Sequence, residues 1–275
     1  MQPWTQTDVM LKTLLSAYGI TDKFRVAHYF IARHLAGRYR HKVDNGKMSI
    51  RFRDNLSLDI SIQNGGLSAY YEIWCQKAYG CLSDFIPAAG NYIVDVGANI
   101  GIYSLWAGRR VADTGMIFSI EPHPSAYELL RRNIYNNGFP GKTFNVGCSD
   151  SEGFLNLSFD PSTLVTSSFQ IRTGERVEKA LVPVKRLDDL IDDISPNRIS
   201  ILKIDVERWE MQVLKGAEET LKLVDRAVLE IQGEDAVNAV SDYLMARDFD
   251  VVHEIGGVWN DPELHIIYFR RKGIR

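Results

Sequence analysis

The chain has 275 residues, 45% of them hydrophobic and 24% charged, which is enough to bury a full core in one large domain or one domain with an appendage. A net charge of -3 and an isoelectric point near 6.1 exclude the basic field that gathers nucleic acid or an anionic membrane. Cys75, Cys81 and Cys148 form neither a paired disulfide framework nor close metal clips. There is no secretory pattern at the start and no run of about eighteen apolar residues, so a cytoplasmic protein without a membrane span is expected.

Two helices are predicted first, over residues 5 to 18 and 22 to 37, because Leu11, Leu14, Leu15 and then Phe24, Ala27, Phe30, Ile31, His34 recur at three and four. The segment MSIRFRDNLSLDISI, residues 48 to 62, alternates apolar and polar side chains around Asp54-Asn55 and predicts a hairpin. Residues 1 to 88 are therefore expected to form an α+β appendage. An aromatic run follows, AYYEIWCQKAYG at 69 to 80, whose rings serve either to glue the appendage to the core or to cover a pocket.

From residue 89 to 275 short β-branched runs alternate with helical patterns. The runs are YIVDVG, GMIFSIEP, KTFNVG, SILKIDV, RAVLEIQ and FDVVHEI, and between the second and third lies a helix over 125 to 137 that ends at Gly138. This alternation predicts a parallel α/β sheet with helices on both faces. The spacing doubles between the third and fourth runs, so an insertion of two strands and a polar loop is expected at about 151 to 185, over the ligand edge of the sheet. The last strand, LHIIYFRR, follows its predecessor too closely for a crossover and must be antiparallel.

The first of these strands leads into VDVGANIGIYS, in which Gly97 and Gly101 enclose Ala98, Asn99 and Ile100. The dinucleotide fingerprint needs a middle glycine where the backbone meets a pyrophosphate, and this loop lacks it. Both glycines still allow a sharp turn and a close ligand. Twenty residues after Gly101, Glu121 ends the next strand, where a carboxylate accepts both hydroxyls of a ribose. Asp95, just before the turn, is placed to hold a cationic group directly or through water. A nucleoside carrying a cationic group in place of a diphosphate fits this pattern, and S-adenosylmethionine is such a molecule.

The stretches VDVGANIGIYS, SIEPHPSAYELLRRNIYNN, GCSDSEG and LKIDVERWEMQVLKGAEETL resemble the FkbM-type family of class I S-adenosylmethionine-dependent methyltransferases. The resemblance implies a Rossmann-like, mostly parallel sheet with a C-terminal antiparallel hairpin. It also implies O-methylation of a small hydroxylated molecule, a sugar or a natural-product or glycan intermediate. By the same likeness Asp95, Gly97, Asn99 and Gly101 line the methionine moiety, Glu121 holds the ribose, and Ser149 and Asp150 flank the adenine. One departure stands out: the family usually carries glycine after the acidic pair, whereas this chain reads Asp205-Val206-Glu207-Arg208, and the arginine points to an anionic or strongly hydrogen-bonding substrate.

Asp205 ends an apolar strand at the ligand edge and is the leading candidate for a general base, with Glu207 and Glu230 facing the same cleft. Two alternatives stand beside it: the three carboxylates hold a divalent cation that orients a diol, or Asp205 caps the helix beginning near Glu207. His123 either faces the cleft or fixes the turn between Pro122 and Pro124. His253 and His265 read as structural, and Trp209, Val213, Ala217 and Leu221 as core. A nicotinamide-dependent oxidoreductase on a similar sheet and a non-catalytic pocket-bearing protein are the rival readings, and a homo-oligomer is compatible with any of them.

Overall fold

The computed structural model describes residues 5–38, 47–61, 66–160, 167–170, 177–192, 196–258 and 261–274, with side chains of 33–38 excepted. Helices Gln6–Ser16 (α1) and Ile20–Arg38 (α2) precede an antiparallel hairpin of Lys47–Arg51 (β1) and Ser57–Ser61 (β2). Its turn places Asn55 at φ 62°, a left-handed conformation that asparagine tolerates. Helix Gly66–Tyr70 (α3) then runs directly into a π-helical turn, Tyr71–Cys75.

The main domain follows as Tyr92–Val96 (β3), Ile102–Val111 (α4), Met116–Ile120 (β4), Pro124–Asn137 (α5) and Gly141–Phe144 (β5). Next come the short strand Gly147–Cys148 (β6), then Gly153–Phe159 (β7), Ser167–Ser168 (β8), Glu178–Lys185 (β9) and helix Leu187–Asp192 (α6). Ile201–Ile204 (β10), Glu210–Lys215 (α7), Glu218–Leu223 (α8), Arg226–Gln232 (β11), Glu234–Met245 (α9), Phe249–Gly256 (β12) and Leu264–Arg271 (β13) complete it.

The central sheet has the order β12-β13-β11-β10-β3-β4-β5. β3, β4, β5, β10 and β11 run parallel, and β13 lies between β11 and β12, antiparallel to both. This is the mostly parallel sheet with a terminal antiparallel pair that the strand spacing requires. The chain turns from β3 to β4 on one side and returns to β10 on the other, so a crevice opens at the carboxyl ends of β3 and β10. The insertion forms a second sheet of order β6-β9-β7-β8, in which β7 and β9 pair antiparallel; residues 161–166 and 171–176 of its polar stretch lie outside the described residues.

The first two helices form where periodicity puts them, but they bury a different face. Leu11, Leu15, Phe24 and Ile31 are each more than half exposed, whereas Val9 and Thr13 of α1, and Asp22, Val26, Tyr29 and Ala32 of α2, are buried. The anchor is Asp22, whose Oδ1 accepts from the backbone N of Arg51 at 3.2 Å and whose other oxygen lies 3.6 Å from the Arg51 guanidinium. That buried carboxylate sets the rotation of α2, which an apolar count does not register. The side chain of His34 is outside the described residues.

One hydrophobic core runs from the appendage into the main domain, from Val26, Tyr29 and Phe52 to Tyr103, Trp106 and Leu130. Polar contacts reinforce it. Asn133 of α5 is fully buried; its Oδ1 accepts from Asp59 N at 2.7 Å, and its Nδ2 donates to Asp59 O at 3.0 Å and to Ile100 O at 2.8 Å. A single amide thus satisfies the edge of β2 and ties it to the loop after β3.

Candidate active site

The site starts from the register of β3 and β10. Val96 pairs with Ile204, so the chain leaves both strands at the same level, and Asp205 N donates to Val96 O at 3.0 Å. Gly97 must therefore pass against the backbone of Asp205: it has φ +77°, and a Cβ there would lie 1.8 Å from the Asp205 carbonyl oxygen. Gly101 has φ +91° and opens α4, with Leu130 packed where a Cβ would stand. Glycine serves close approach here; nothing in the loop calls for a pyrophosphate.

The ends of β3, β4, β10 and β11 surround a cavity of about 520 Å³, within the roughly 300–1,000 Å³ usual for small ligands. Gly97 and Asn99 line it after β3, Glu121 after β4, Asp205 and Glu207 after β10, and Glu230 near the end of β11. Asp95, Gly101, Ser149 and the exposed Asp150 are not among its lining residues; from the β6 turn it is Cys148 that reaches the cavity. The inserted sheet contributes Leu157, Ser167 and Phe169.

Glu121 is buried, with Oε2 accepting from Asn99 N at 2.8 Å and Oε1 from His123 N at 2.7 Å. Burial pushes its carboxyl up to about 7, against the two backbone N–H groups that favour the charged form. His123 fixes the turn: its Nδ1 accepts from the N–H groups of Ser125 and Ala126 at the start of α5, and its ring packs edge-on against Phe159.

Asp95 is fully buried and already has a cation, which belongs to the protein. Lys203 Nζ lies 3.1 Å from Asp95 Oδ1 and 3.3 Å from Asp205 Oδ2, and it donates to Gly97 O at 2.9 Å. Burial alone would lower the Lys203 ammonium, but Asp205 and Asp95 outweigh it and raise the group above the ordinary lysine value, so it is charged. Ser104 Oγ donates to the second Asp95 oxygen at 2.6 Å. Asp95 thus stabilises the turn through Lys203 and Ser104.

On the far side the aromatic run performs both of its expected tasks. Tyr70 stacks on Phe52 with ring centroids 4.1 Å apart, which joins appendage to core. Glu72, Ile73 and Tyr79 face the cavity. Tyr79 Oη donates to Glu230 Oε2 at 2.8 Å and lies 3.3 Å from Asp205 Oδ2. Burial, with the charge of Asp205, holds Glu230 well above the ordinary carboxylate range. Burial and then Asp205 raise Glu72 to about 7. Glu72, Tyr79, Tyr103 and Lys203 lie within the stretches singled out above, but none was given a role of its own there; the available signal was Lys203 inside an apolar strand, level with Asp95 on the next one.

The acidic segment after β10 departs from helix-cap geometry. The next helix, α7, begins at Glu210 with Trp209 before it, so Asp205 does not cap it. Glu207 and Arg208 both have positive φ, 53° and 73°. Their carbonyls are pinned by the insertion: Ser168 Oγ donates to Glu207 O at 2.5 Å and Gln170 Nε2 to Arg208 O at 3.0 Å. Arg208 Nε donates to Gln232 Oε1 at 2.8 Å, beside the cavity. The arginine thus occupies a glycine-like conformation, at a cost of about 1–2 kcal/mol. An Arg208→Gly variant is expected to exceed Arg208→Ala in stability by about 1 kcal/mol by urea denaturation, since both lose the guanidinium and only glycine relieves the strain.

Val213, Ala217 and Leu221 are core as expected, while Trp209 is half-buried against Phe169. The helix breaks between Lys215 and Glu218, where a Cβ on Gly216 would lie 2.0 Å from Ser149 O. Among the described residues no three His, Cys, Asp or Glu side chains are placed to hold a metal ion, so the geometry does not assemble the cation site. No helix among them is long and apolar enough to cross a membrane.

The sequence profile described as the methyltransferase FkbM domain matches residues 95–251. The chain belongs to the FkbM methyltransferase family. Methyltransferase sdnD of Sordaria araneosa is 31% identical over 235 residues, 74% of this chain and 89% of the relative. The 31-O-demethyl-FK506 methyltransferase FkbM of Streptomyces tacrolimicus is 28% identical over 216 residues, 66% of this chain and 81% of its own. The hexuronic acid methyltransferase AglP of Haloferax volcanii is 28% identical over 141 residues, 50% and 54% of the two chains. Among solved structures, the pre-rRNA processing protein fibrillarin of Methanococcus jannaschii superposes with a TM-score of 0.50 at 11% identity, over 86% of each chain, and shares the fold. The FkbM methyltransferase described here is therefore an enzyme on a Rossmann-like sheet, and the oxidoreductase and non-catalytic readings fall away.

Proposed function

We propose that this methyltransferase binds S-adenosylmethionine in the cavity at the ends of β3, β4 and β10 and methylates a hydroxyl of a small sugar-like or natural-product acceptor. The observation that carries the reading is Glu121, a buried carboxylate fixed by two backbone N–H groups beside a glycine turn without a pyrophosphate cradle. Two orphaned buried atoms add to it. Asn99 Oδ1 and the Tyr103 hydroxyl, on residues lining the same cavity, have no hydrogen-bond partner among the described residues. Buried polar atoms are seldom left unpaired, so both suit the polar groups of a ligand. When bound, the cofactor supplies a methyl group on a cationic sulfur.

Glu121 would accept the ribose hydroxyls, and Gly97 would let the backbone reach the methionine end. Asp205, Glu207 and Glu230, with Tyr79, would form the acceptor wall, and Lys203 holds Asp205 in place. Alignment of the two reactants supplies about 7–11 kcal/mol, against about 10² to 10⁴-fold for a positioned base. The relatives named for FK506 and for a hexuronic acid favour an oxygen acceptor.

The reading predicts formation of S-adenosylhomocysteine with hydroxylated acceptors such as hexuronic acid glycosides and macrolactone alcohols, and none with amines of matched size. Glu121→Ala is expected to weaken S-adenosylmethionine binding about 10- to 100-fold, the loss of one or two hydrogen bonds to a charged group. Unchanged affinity in that variant would remove Glu121 from the site.

A further inference from the structure

Besides Glu121 and Asp261, four carboxylates line the cavity, Glu72, Asp205, Glu207 and Glu230, and they are not equivalent. Asp205 Oδ2 is engaged by Lys203 Nζ and approached by the Tyr79 hydroxyl. Glu230 accepts from Tyr79 at 2.8 Å, and Glu207 belongs to the strained turn held by Ser168. Glu72 differs from all three. It is half-buried and lines the cavity, yet among the described residues its carboxylate makes no hydrogen bond or ion pair. The π-helical turn that carries it is fixed on its other faces: Lys12 of α1 lies over the Tyr71 ring, Arg110 of α4 over the Trp74 ring, and Trp74 Nε1 donates to Ile102 O. Such single π turns recur at functional sites.

We infer that Glu72, supplied by the appendage, is the general base that takes the acceptor's proton. The assignment rests on the methyl-transfer reading above. As the acceptor oxygen bonds to the methyl carbon, the carbon–sulfur bond breaks with its electron pair going to sulfur. The hydroxyl proton passes to a Glu72 carboxylate oxygen, so charge and atoms balance without another reactant. The charged and titratable groups that line the cavity with Glu72 are Asp205, Glu207, Glu230, Asp261, Glu121, Lys203, Tyr79, Tyr103 and Cys148, and Asp205 is the one whose charge raises the Glu72 carboxyl. With its carboxyl at about 7, Glu72 is part ionised at neutral pH, as a base requires, whereas Glu230, raised by burial and by the charge of Asp205, already accepts from the Tyr79 hydroxyl.

The test needs no acceptor. A base at the reacting end sits beside the cationic sulfur of S-adenosylmethionine, and a nearby cation lowers a carboxyl by about one unit or more, so a proton leaves. S-adenosylhomocysteine carries the same groups without that charge. Calorimetry of both ligands near pH 7, in buffers of different ionisation enthalpy, is expected to show about 0.4 more protons released per site with S-adenosylmethionine. The difference is expected to vanish in Glu72→Gln and in Glu72→Ala and to persist in Glu230→Gln. A difference that survives both Glu72 variants, or disappears only in Glu230→Gln, would overturn the assignment while leaving the cofactor reading intact. Binding of neither ligand to the wild-type protein would overturn both.

Discussion

Gly97→Ala is expected to abolish S-adenosylmethionine binding, by about 100-fold or more, and to lower stability by several kcal/mol. Two effects add. Alanine at φ +77° carries the left-handed penalty of about 1–2 kcal/mol, and its Cβ would fall 1.8 Å from the Asp205 carbonyl oxygen. Neither backbone can yield cheaply. β3 and β10 are paired through Val96 and Ile204, and the N–H groups of Gly97 and Ala98 both donate to Ile120 O at 3.0 Å. Relief would require the turn to leave the β4 end, which would carry Asn99 away from Glu121. Urea denaturation and a cofactor titration on the same preparation measure both effects. A variant with wild-type stability and affinity would show that the close passage of the two turns is not needed.

Lys203→Met is expected to cost about 3–5 kcal/mol, the penalty for leaving a buried charge without its partner. Asp95 is completely buried, and among the described residues its only bonded partner besides Lys203 is Ser104. Methionine fills nearly the same volume, so the loss is electrostatic and not a cavity effect. Adding Asp95→Asn to Lys203→Met should recover more than half of the loss, because the stranded charge is then gone. Chemical denaturation of both single variants and the double variant gives the coupling directly. Additive losses would mean that Lys203 and Asp95 stabilise the fold through separate contacts.

The parts of this fold visible in the sequence are those whose side chains answer to one local rule. Buried parallel strands must be apolar on both faces, so Ile93-Val94 and Ile201-Leu202 announce β3 and β10 without reference to anything distant. The Gly97 turn and Glu121 were legible for a similar reason, because each sits at a strand end. The face buried by α2 was not, since the carboxylate of Asp22 and its partner on β1 decide it. The aromatic run was legible as a pocket cover, but the part of Glu72 within it was not, for a third reason: it reaches the cavity from the appendage, and only tertiary packing places a π-helical turn beside Asp205. Arg208 was visible as an oddity, but its strained conformation depends on Ser168 and Gln170 from the inserted sheet.

The most direct measurement is a calorimetric titration of the purified protein with S-adenosylmethionine and, separately, with NAD. The account predicts one S-adenosylmethionine site per chain with micromolar affinity and no heat of binding from NAD. A chain that binds NAD, or that takes up neither compound while fully folded, would contradict it.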